Sequence, residues 1–122
     1  MRTIGALIVD DQEDVRHLVR ITITAADNGL YVLAETDSGQ GAIDSIDYMD
    51  PDVIIMDMMM PGMNGLDAAE RILELRPGQR FILYSAYLDR DVLRRADQLG
   101  IEICLSKERL EDIPNALWAA AK

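Results

Sequence analysis

Three aspartates, one serine and one lysine stand at or near the ends of short apolar runs in the sequence. Asp10 and Asp11 follow the first run, Asp57 the third, Ser85 the fourth and Lys107 the fifth. Crowded carboxylates repel one another and need a cation, and oxygen ligands of this kind suit Mg²⁺. An aspartate can accept a phosphoryl group as a nucleophile, while an ammonium and a hydroxyl can hold phosphate oxygens. If these side chains meet, Asp57 is the predicted acceptor.

Whether they meet depends on the fold, which the spacing of apolar residues predicts. Apolar runs typical of buried strands begin at Ile4, Leu30, Val53, Phe81 and Ile101. Stretches with helical periodicity separate these runs and follow the last one. Such alternation predicts an α/β fold with a doubly wound, five-stranded parallel sheet, helices on both faces and the flavodoxin-like order 2-1-3-4-5. The carboxyl ends of the strands would then share one edge of the sheet.

The end of the chain carries more detailed predictions. The last strand is expected over residues 101–105, after a helix that Gly100 stops. The last helix is expected to include Leu110 and Ala121, with Asp112 as a side-chain cap near its start.

Length and composition set the class of protein. The 122 residues, 49% of them hydrophobic, predict one domain over residues 1–122. A net charge of −10 argues against direct binding of nucleic acid by this chain. The first apolar run is too short for a signal peptide or a membrane span, and the single Cys104 fits a reducing compartment. A cytoplasmic location with no membrane partner is expected.

The motifs resemble those of the receiver domains of two-component response regulators. The resemblance rests on residues 7–11, 57–65, 85–86 and 105–107, and it covers essentially the whole chain. Each motif alone is modest, but all four in this order and at these separations are highly specific. The resemblance implies a switch that takes a phosphoryl group from a phosphohistidine of a histidine kinase or histidine phosphotransfer protein. Such a domain is not an enzyme for external substrates, because it catalyses only its own phosphorylation and dephosphorylation.

The resemblance also implies a role for each acidic residue. Asp57 would be phosphorylated and would bind Mg²⁺ together with Asp11. The backbone carbonyl of Met59 would be the third protein ligand, and Asp10 would act mainly through a metal-bound water.

The remaining site residues would contact the phosphoryl group. Ser85 would be the switch hydroxyl, the Ala86 amide would help to bind the phosphate, and Lys107 would pair with Asp57 before the reaction and with the phosphate afterwards. Phosphorylation would then change the surface of the last two helices and the last strand, through which an output domain or a second copy would be controlled.

Four positions depart from the family pattern or vary within it. Cys104 stands where members usually carry a tyrosine or phenylalanine that moves with the switch hydroxyl. Glu108 follows Lys107 where many members have a cis-proline, so a trans bond is expected. Met59 and Tyr87 occupy the two variable positions that flank the site and tune the phosphate lifetime.

Other functions remain open at the level of sequence. A phosphorylation-independent binding module on a receiver scaffold is supported only by Cys104. A hydrolase that forms an aspartyl-phosphate would need a second aspartate where Met59 stands. A flavin electron carrier shares the predicted fold, but the Asp10–Asp11 pair would repel the phosphate of its flavin. Residues 106–108 and 30–42 resemble receivers attached to helix-turn-helix DNA-binding domains more than chemotaxis-type receivers. Either the domain acts alone or its output domain lies outside this sequence.

Overall fold

The computed structural model describes residues 2–122, in which five strands alternate with five α-helices. The strands are β1 (Ile4–Val9), β2 (Leu30–Thr36), β3 (Val53–Met56), β4 (Arg80–Ser85) and β5 (Ile103–Ser106). The helices are α1 (Glu13–Ala26), α2 (Gly39–Met49), α3 (Gly65–Leu75), α4 (Arg90–Gln98) and α5 (Ile113–Ala120), and a 3-10 helix (Lys107–Asp112) precedes α5. Within these described residues, no helix is long and apolar enough to cross a membrane.

The five strands form one parallel sheet in the order β2-β1-β3-β4-β5. The register pairs Val9 of β1 with Met56 of β3, and Met56 with Leu83 of β4. Ser85 at the end of β4 pairs with Ser106 at the end of β5. The predicted strand order is therefore confirmed, and the residues that follow these strands emerge at one edge.

Alternate side chains of the strands supply two separate cores. Leu7, Ile54 and Leu83 lie in the core on the side of α2 and α3, together with buried residues of those helices. Ile8 and Tyr84 lie in the core on the side of α1 and α5. Because β1 and β3 are buried on both faces, their sequences are continuous apolar runs rather than alternating ones.

The C-terminal segment differs from its prediction in two places. As expected, Gly100 follows the end of α4, with a φ of 82°. The strand does not start at residue 101, however, because the Ile101 amide donates back to the Ala96 carbonyl (2.9 Å). That bond keeps Ile101 in the turn, so β5 begins at residue 103. The predicted single last helix is also wrong. Arg109 has a non-helical backbone conformation (φ −113°, ψ 44°), and Leu110 lies in the 3-10 helix rather than in α5.

Asp112 does not cap α5 with its side chain, although it occupies the N-terminal cap position. Its carboxylate instead forms an ion pair with the Arg109 guanidinium, in which Oδ2 lies 2.6 Å from Nη2. The predicted capping hydrogen bond is therefore wrong, since the nearby arginine takes the same carboxylate.

Gly65 allows the start of α3 to pack directly against the residue that ends β3. A Cβ atom at this position would overlap the carbonyl oxygen of Asp57 and lie 2.9 Å from the Met56 Cγ. The Gly65 amide also donates to the Met58 carbonyl (2.9 Å), which fixes the loop between β3 and α3. The glycine is therefore required by close approach, without an unusual φ.

Gly65→Ala is expected to destabilise the protein by about 2–4 kcal/mol, because backbone atoms cannot yield as a flexible side chain would. Urea denaturation measures the change in the free energy of unfolding. Gly78→Ala is the matched control, since a Cβ there meets nothing within 4 Å. Equal stability of the two variants would contradict the close packing of α3 on Asp57.

Candidate functional site

Asp10 and Asp57 extend the hydrogen-bonded ladder just beyond β1 and β3. The Asp57 amide donates to the Val9 carbonyl (2.9 Å), and the Asp10 amide donates to the Thr36 carbonyl (3.1 Å). Both backbones are thus fixed by neighbouring strands, which gives the two carboxylates a rigid support.

Asp10, Asp11 and Asp57 form a cluster of carboxylates at this edge. One oxygen from each lies within 4.8 Å of the others. Asp10 is 2% exposed and Asp57 4% exposed, whereas Asp11 faces solvent. A cluster of oxygen donors without nitrogen or sulfur, open to water on one side, fits a hard divalent cation such as Mg²⁺.

Lys107 is the cation that the protein itself brings to this cluster. Its Nζ lies 2.8 Å from Asp10 Oδ2 and 3.3 Å from Asp57 Oδ1. The ion pair with Asp57 that the family resemblance implied is present, but the shorter contact is to Asp10. One ammonium therefore offsets only part of the negative charge of three carboxylates.

Burial and neighbouring charges shift the pKa values of Asp57 and Lys107. Burial raises the pKa of the Asp57 carboxyl, the charge of Asp10 raises it further, and Lys107 offsets the rise only in part. Burial alone would lower the pKa of Lys107, but the hydrogen bond to Asp10 and the charges of Asp57 and Asp10 outweigh it, so this pKa is raised. The site therefore holds a charged lysine beside a carboxylate that lacks full compensation.

A positioning network around Asp10 was not predicted from the sequence. Asp10 Oδ1 accepts from the Gln12 amide (2.9 Å), and its carbonyl accepts from Arg16 Nη1 (2.7 Å). Arg16 Nε also lies 3.3 Å from the Glu35 carboxylate, which Arg20 contacts as well. The one signal in the sequence is the i, i+4 spacing of the two arginines, which puts them on one face of α1.

Ser85 ends β4 with its hydroxyl engaged in its own loop. Its Oγ accepts from the Tyr87 amide (3.0 Å) and donates weakly to the Tyr87 carbonyl (3.5 Å). Among the hydrogen bonds of residues 2–122, none joins this hydroxyl to Asp57 or Lys107. Ala86 follows at the exposed surface, and Met59 and Tyr87 are exposed on the two neighbouring loops. The structure therefore brings the acidic residues and Lys107 together, whereas the Ser85 hydroxyl bonds to Tyr87 in the loop after β4.

Cys104 lies in β5 opposite Leu83 and is half-buried against the core on the side of α2 and α3. Burial raises the pKa of its thiol, so the group stays neutral. This environment is that of a small apolar residue of the core. The peptide bond between Lys107 and Glu108 is trans, as expected, since no cis bond occurs among the described residues.

Asp57→Asn is expected to stabilise the metal-free protein at neutral pH. The pKa of Asp57 is raised in the folded state, so the protonated carboxyl contributes to stability. That contribution is lost as the pH rises through the pKa of the folded state. The asparagine avoids this loss, so its advantage in urea denaturation should shrink as the pH falls below the ordinary range of an aspartate. Asp47→Asn, at an exposed position, controls for the change in net charge. A variant less stable than the wild type at neutral pH would contradict the raised pKa.

Comparison with known proteins adds the family context of this site. A family model described as the response regulator receiver domain matches residues 6–117. Chemotaxis protein CheY of Thermotoga maritima is 38% identical over 94 residues, which cover 77% of each chain. The solved signal receiver domain of NarL from Mycobacterium tuberculosis superposes with a TM-score of 0.89 at 26% identity, covering 99% of this chain and 98% of that one.

Several relatives are much longer than this chain. A protein-glutamate methylesterase/protein-glutamine glutaminase of Paramagnetospirillum magneticum is 37% identical over 100 residues, which cover 80% of this chain but 26% of that protein. The chain spans a third or less of the first two curated relatives that it matches.

Proposed function

The chain belongs to the response regulator receiver domain family, and on this premise we propose that it is a signalling switch that accepts a phosphoryl group on Asp57. The observation that carries the proposal is the contact of one lysine with two buried carboxylates, Asp10 and Asp57, beside Asp11. A surface salt bridge would not need its carboxylates to be buried. A site that must hold both a cation and a phosphate would need this burial.

The proposed reaction transfers the phosphoryl group from the histidine of a kinase or a phosphotransfer protein. A carboxylate oxygen of Asp57 forms a bond to phosphorus while the phosphorus–nitrogen bond of the donor breaks, and the bonding electrons return to the imidazole. The product is an acyl phosphate on Asp57 and a histidine that takes up a proton. The hydrogen bond from the Asp57 amide to the Val9 carbonyl holds the backbone of the nucleophile in place during this step.

Asp11, Asp57 and the Met59 carbonyl would hold Mg²⁺, with Asp10 acting through a metal-bound water. When bound, the ion supplies positive charge against the incoming phosphoryl oxygens. The three carboxylates fit this ion by donor chemistry.

Lys107 and Ser85 are proposed to take the phosphoryl oxygens after transfer. The Lys107 ammonium would exchange its Asp57 contact for a phosphate oxygen. Ser85 would leave its bonds to Tyr87 for another oxygen, with the Ala86 amide beside it. Because the Ser85 bonds hold the loop between β4 and α4, their loss would release that loop and change the surface of α4, β5 and α5. That surface is the proposed contact for an output domain or a second copy.

The wider setting is also proposed. The receiver domain would fill residues 1–122 and act as a switch without an external substrate. Because the chain spans only part of several relatives, an output domain could lie beyond this sequence. A net charge of −10 argues against direct contact with nucleic acid, and the unpaired Cys104 fits the cytoplasm.

Acetyl phosphate tests the proposal without knowledge of the natural donor. Wild-type protein incubated with acetyl phosphate and Mg²⁺ should gain the mass of one phosphate, and EDTA should suppress the gain. Hydroxylamine should remove it, because it cleaves acyl phosphates. Absence of any mass gain with Mg²⁺, in protein shown to be folded, would overturn the proposal.

A phosphorylation-independent binding module is the second candidate, favoured by Cys104 at the position of the usual aromatic switch residue. In that case the amide spectrum of α4, β5 and α5 would stay unchanged on phosphorylation. Under the leading proposal the signals of these elements move.

A further inference from the structure

Tyr84 is a buried tyrosine whose hydroxyl has no place in the site described so far. It precedes Ser85 in β4, is 4% exposed and packs in the core on the side of α1 and α5. Its hydroxyl donates to the backbone carbonyl of Lys107 at 3.3 Å. This is the one hydrogen bond of the phenol among the described residues, and it reaches the residue that supplies the ammonium.

The sheet register explains how the hydroxyl reaches Lys107. Tyr84 pairs with Leu105 of β5, and Lys107 lies two residues further along the chain, just after the end of that strand. Strands rise about 3.3 Å per residue and their side chains lean along the strand, so a tyrosine spans roughly two residues. A phenylalanine would fill the same core space without making the bond.

Lys107 lies where the backbone leaves the extended conformation of β5. Lys107 opens a 3-10 helix, and two residues later Arg109 breaks the helical conformation. The Ser106 hydroxyl also supports this segment, because it accepts from the Glu108 amide at 3.2 Å. The tyrosine hydroxyl, anchored in the core, thus gives the Lys107 carbonyl a fixed hydrogen-bond donor just beyond the end of β5.

We propose that Tyr84 is a positioning residue for Lys107, holding its carbonyl so that its ammonium meets Asp10 and Asp57. The inference rests on the proposed role of Lys107 in phosphoryl transfer. It links β4, which carries Ser85, to the lysine through the core rather than through the surface. Among the described residues, no hydrogen bond joins the Tyr84 hydroxyl to Asp10 or Asp57, so its proposed action is through Lys107.

A double-mutant cycle tests the inference. Tyr84→Phe should slow phosphorylation by acetyl phosphate about fivefold, the size expected for one lost neutral hydrogen bond. In a Lys107→Met background the same change should have no further effect, because the group that Tyr84 positions is gone. Tyr48→Phe, at a tyrosine that is 76% exposed, is the matched control and should leave the rate unchanged. An unchanged rate in Tyr84→Phe, or an equal slowing in the Lys107→Met background, would overturn the inference.

Lysine-selective isotope labelling gives a readout that does not need phosphorylation. The chain has only two lysines, Lys107 and Lys122, so the side-chain spectrum contains one signal of interest and one internal reference. Tyr84→Phe should move the Lys107 ε-methylene signal toward that of Lys122 and leave Lys122 in place. An unmoved Lys107 signal would refute the positioning role. If the wild type itself is not phosphorylated, the proposed function fails, while the lysine signals still decide the inference.

Discussion

Asp57→Asn is expected to abolish phosphorylation by acetyl phosphate while the protein stays folded. The amide has no anionic oxygen to attack phosphorus, although its shape fits the same buried position. Intact mass should show no phosphate on the variant under conditions in which the wild type is fully modified. We expect the loss to exceed about 10³-fold in rate, the scale on which enzymes lose activity when a nucleophile is removed.

Asp47→Asn is the control for this result, because Asp47 is an exposed aspartate on α2. It should be phosphorylated at the wild-type rate. A phosphate that still appears on Asp57→Asn would place the acceptor elsewhere, and peptide mapping of that phosphate would identify it. Such a result would refute the assignment of Asp57 without altering the fold or the family.

The residues that meet at one edge of the sheet could be predicted from the sequence, because their placement depends only on where the strands end. Asp10, Asp57 and Ser85 each directly follow or end a buried strand, and a parallel order brings such residues to one side whatever the details of packing. The convergence of these residues needed only the period of apolar residues and the order of the strands. The contact of Lys107 with Asp57 was implied by the family resemblance, and the structure places the two groups 3.3 Å apart.

The contacts that refine the site could not be predicted in this way. Arg16 reaches the carbonyl of Asp10, and Tyr84 reaches the carbonyl of Lys107, through the length and direction of one side chain. Apolar periodicity carries no signal for such bonds to the backbone. The 3-10 helix before α5 was missed for a related reason. Leu110 contacts the core on the side of α1 and α5, so the apolar period continues although the backbone is not helical at Arg109.

Cys104 changes what an output through β5 would require. A half-buried thiol is too small to fill the volume that an aromatic side chain would sweep between two positions. The Ser85 hydroxyl is bonded to Tyr87 in the loop between β4 and α4. Under the proposed function, a change that starts at Ser85 would therefore reach α4 through this loop rather than through residue 104.

Lys107→Met is expected to separate phosphorylation from metal binding. The variant loses the ammonium that would hold a phosphoryl oxygen, so phosphorylation by acetyl phosphate should slow by about 10²–10³-fold, as when a preorganised donor is removed from an active site. Its affinity for Mg²⁺ should rise several-fold, because the lysine no longer competes for the Asp10 and Asp57 carboxylates. Titration calorimetry measures the affinity and intact mass the rate.

Lys122→Met is the matched control, since it removes the other lysine of the chain at an exposed position after the end of α5. Both its rate and its Mg²⁺ affinity should equal those of the wild type. A parallel loss of phosphorylation and metal binding in Lys107→Met would mean that the lysine holds the carboxylates together rather than the phosphoryl group. Opposite changes in the two quantities arise only if Lys107 and the cation share the same carboxylates, which makes this variant the sharpest test of the charge arrangement around Asp57.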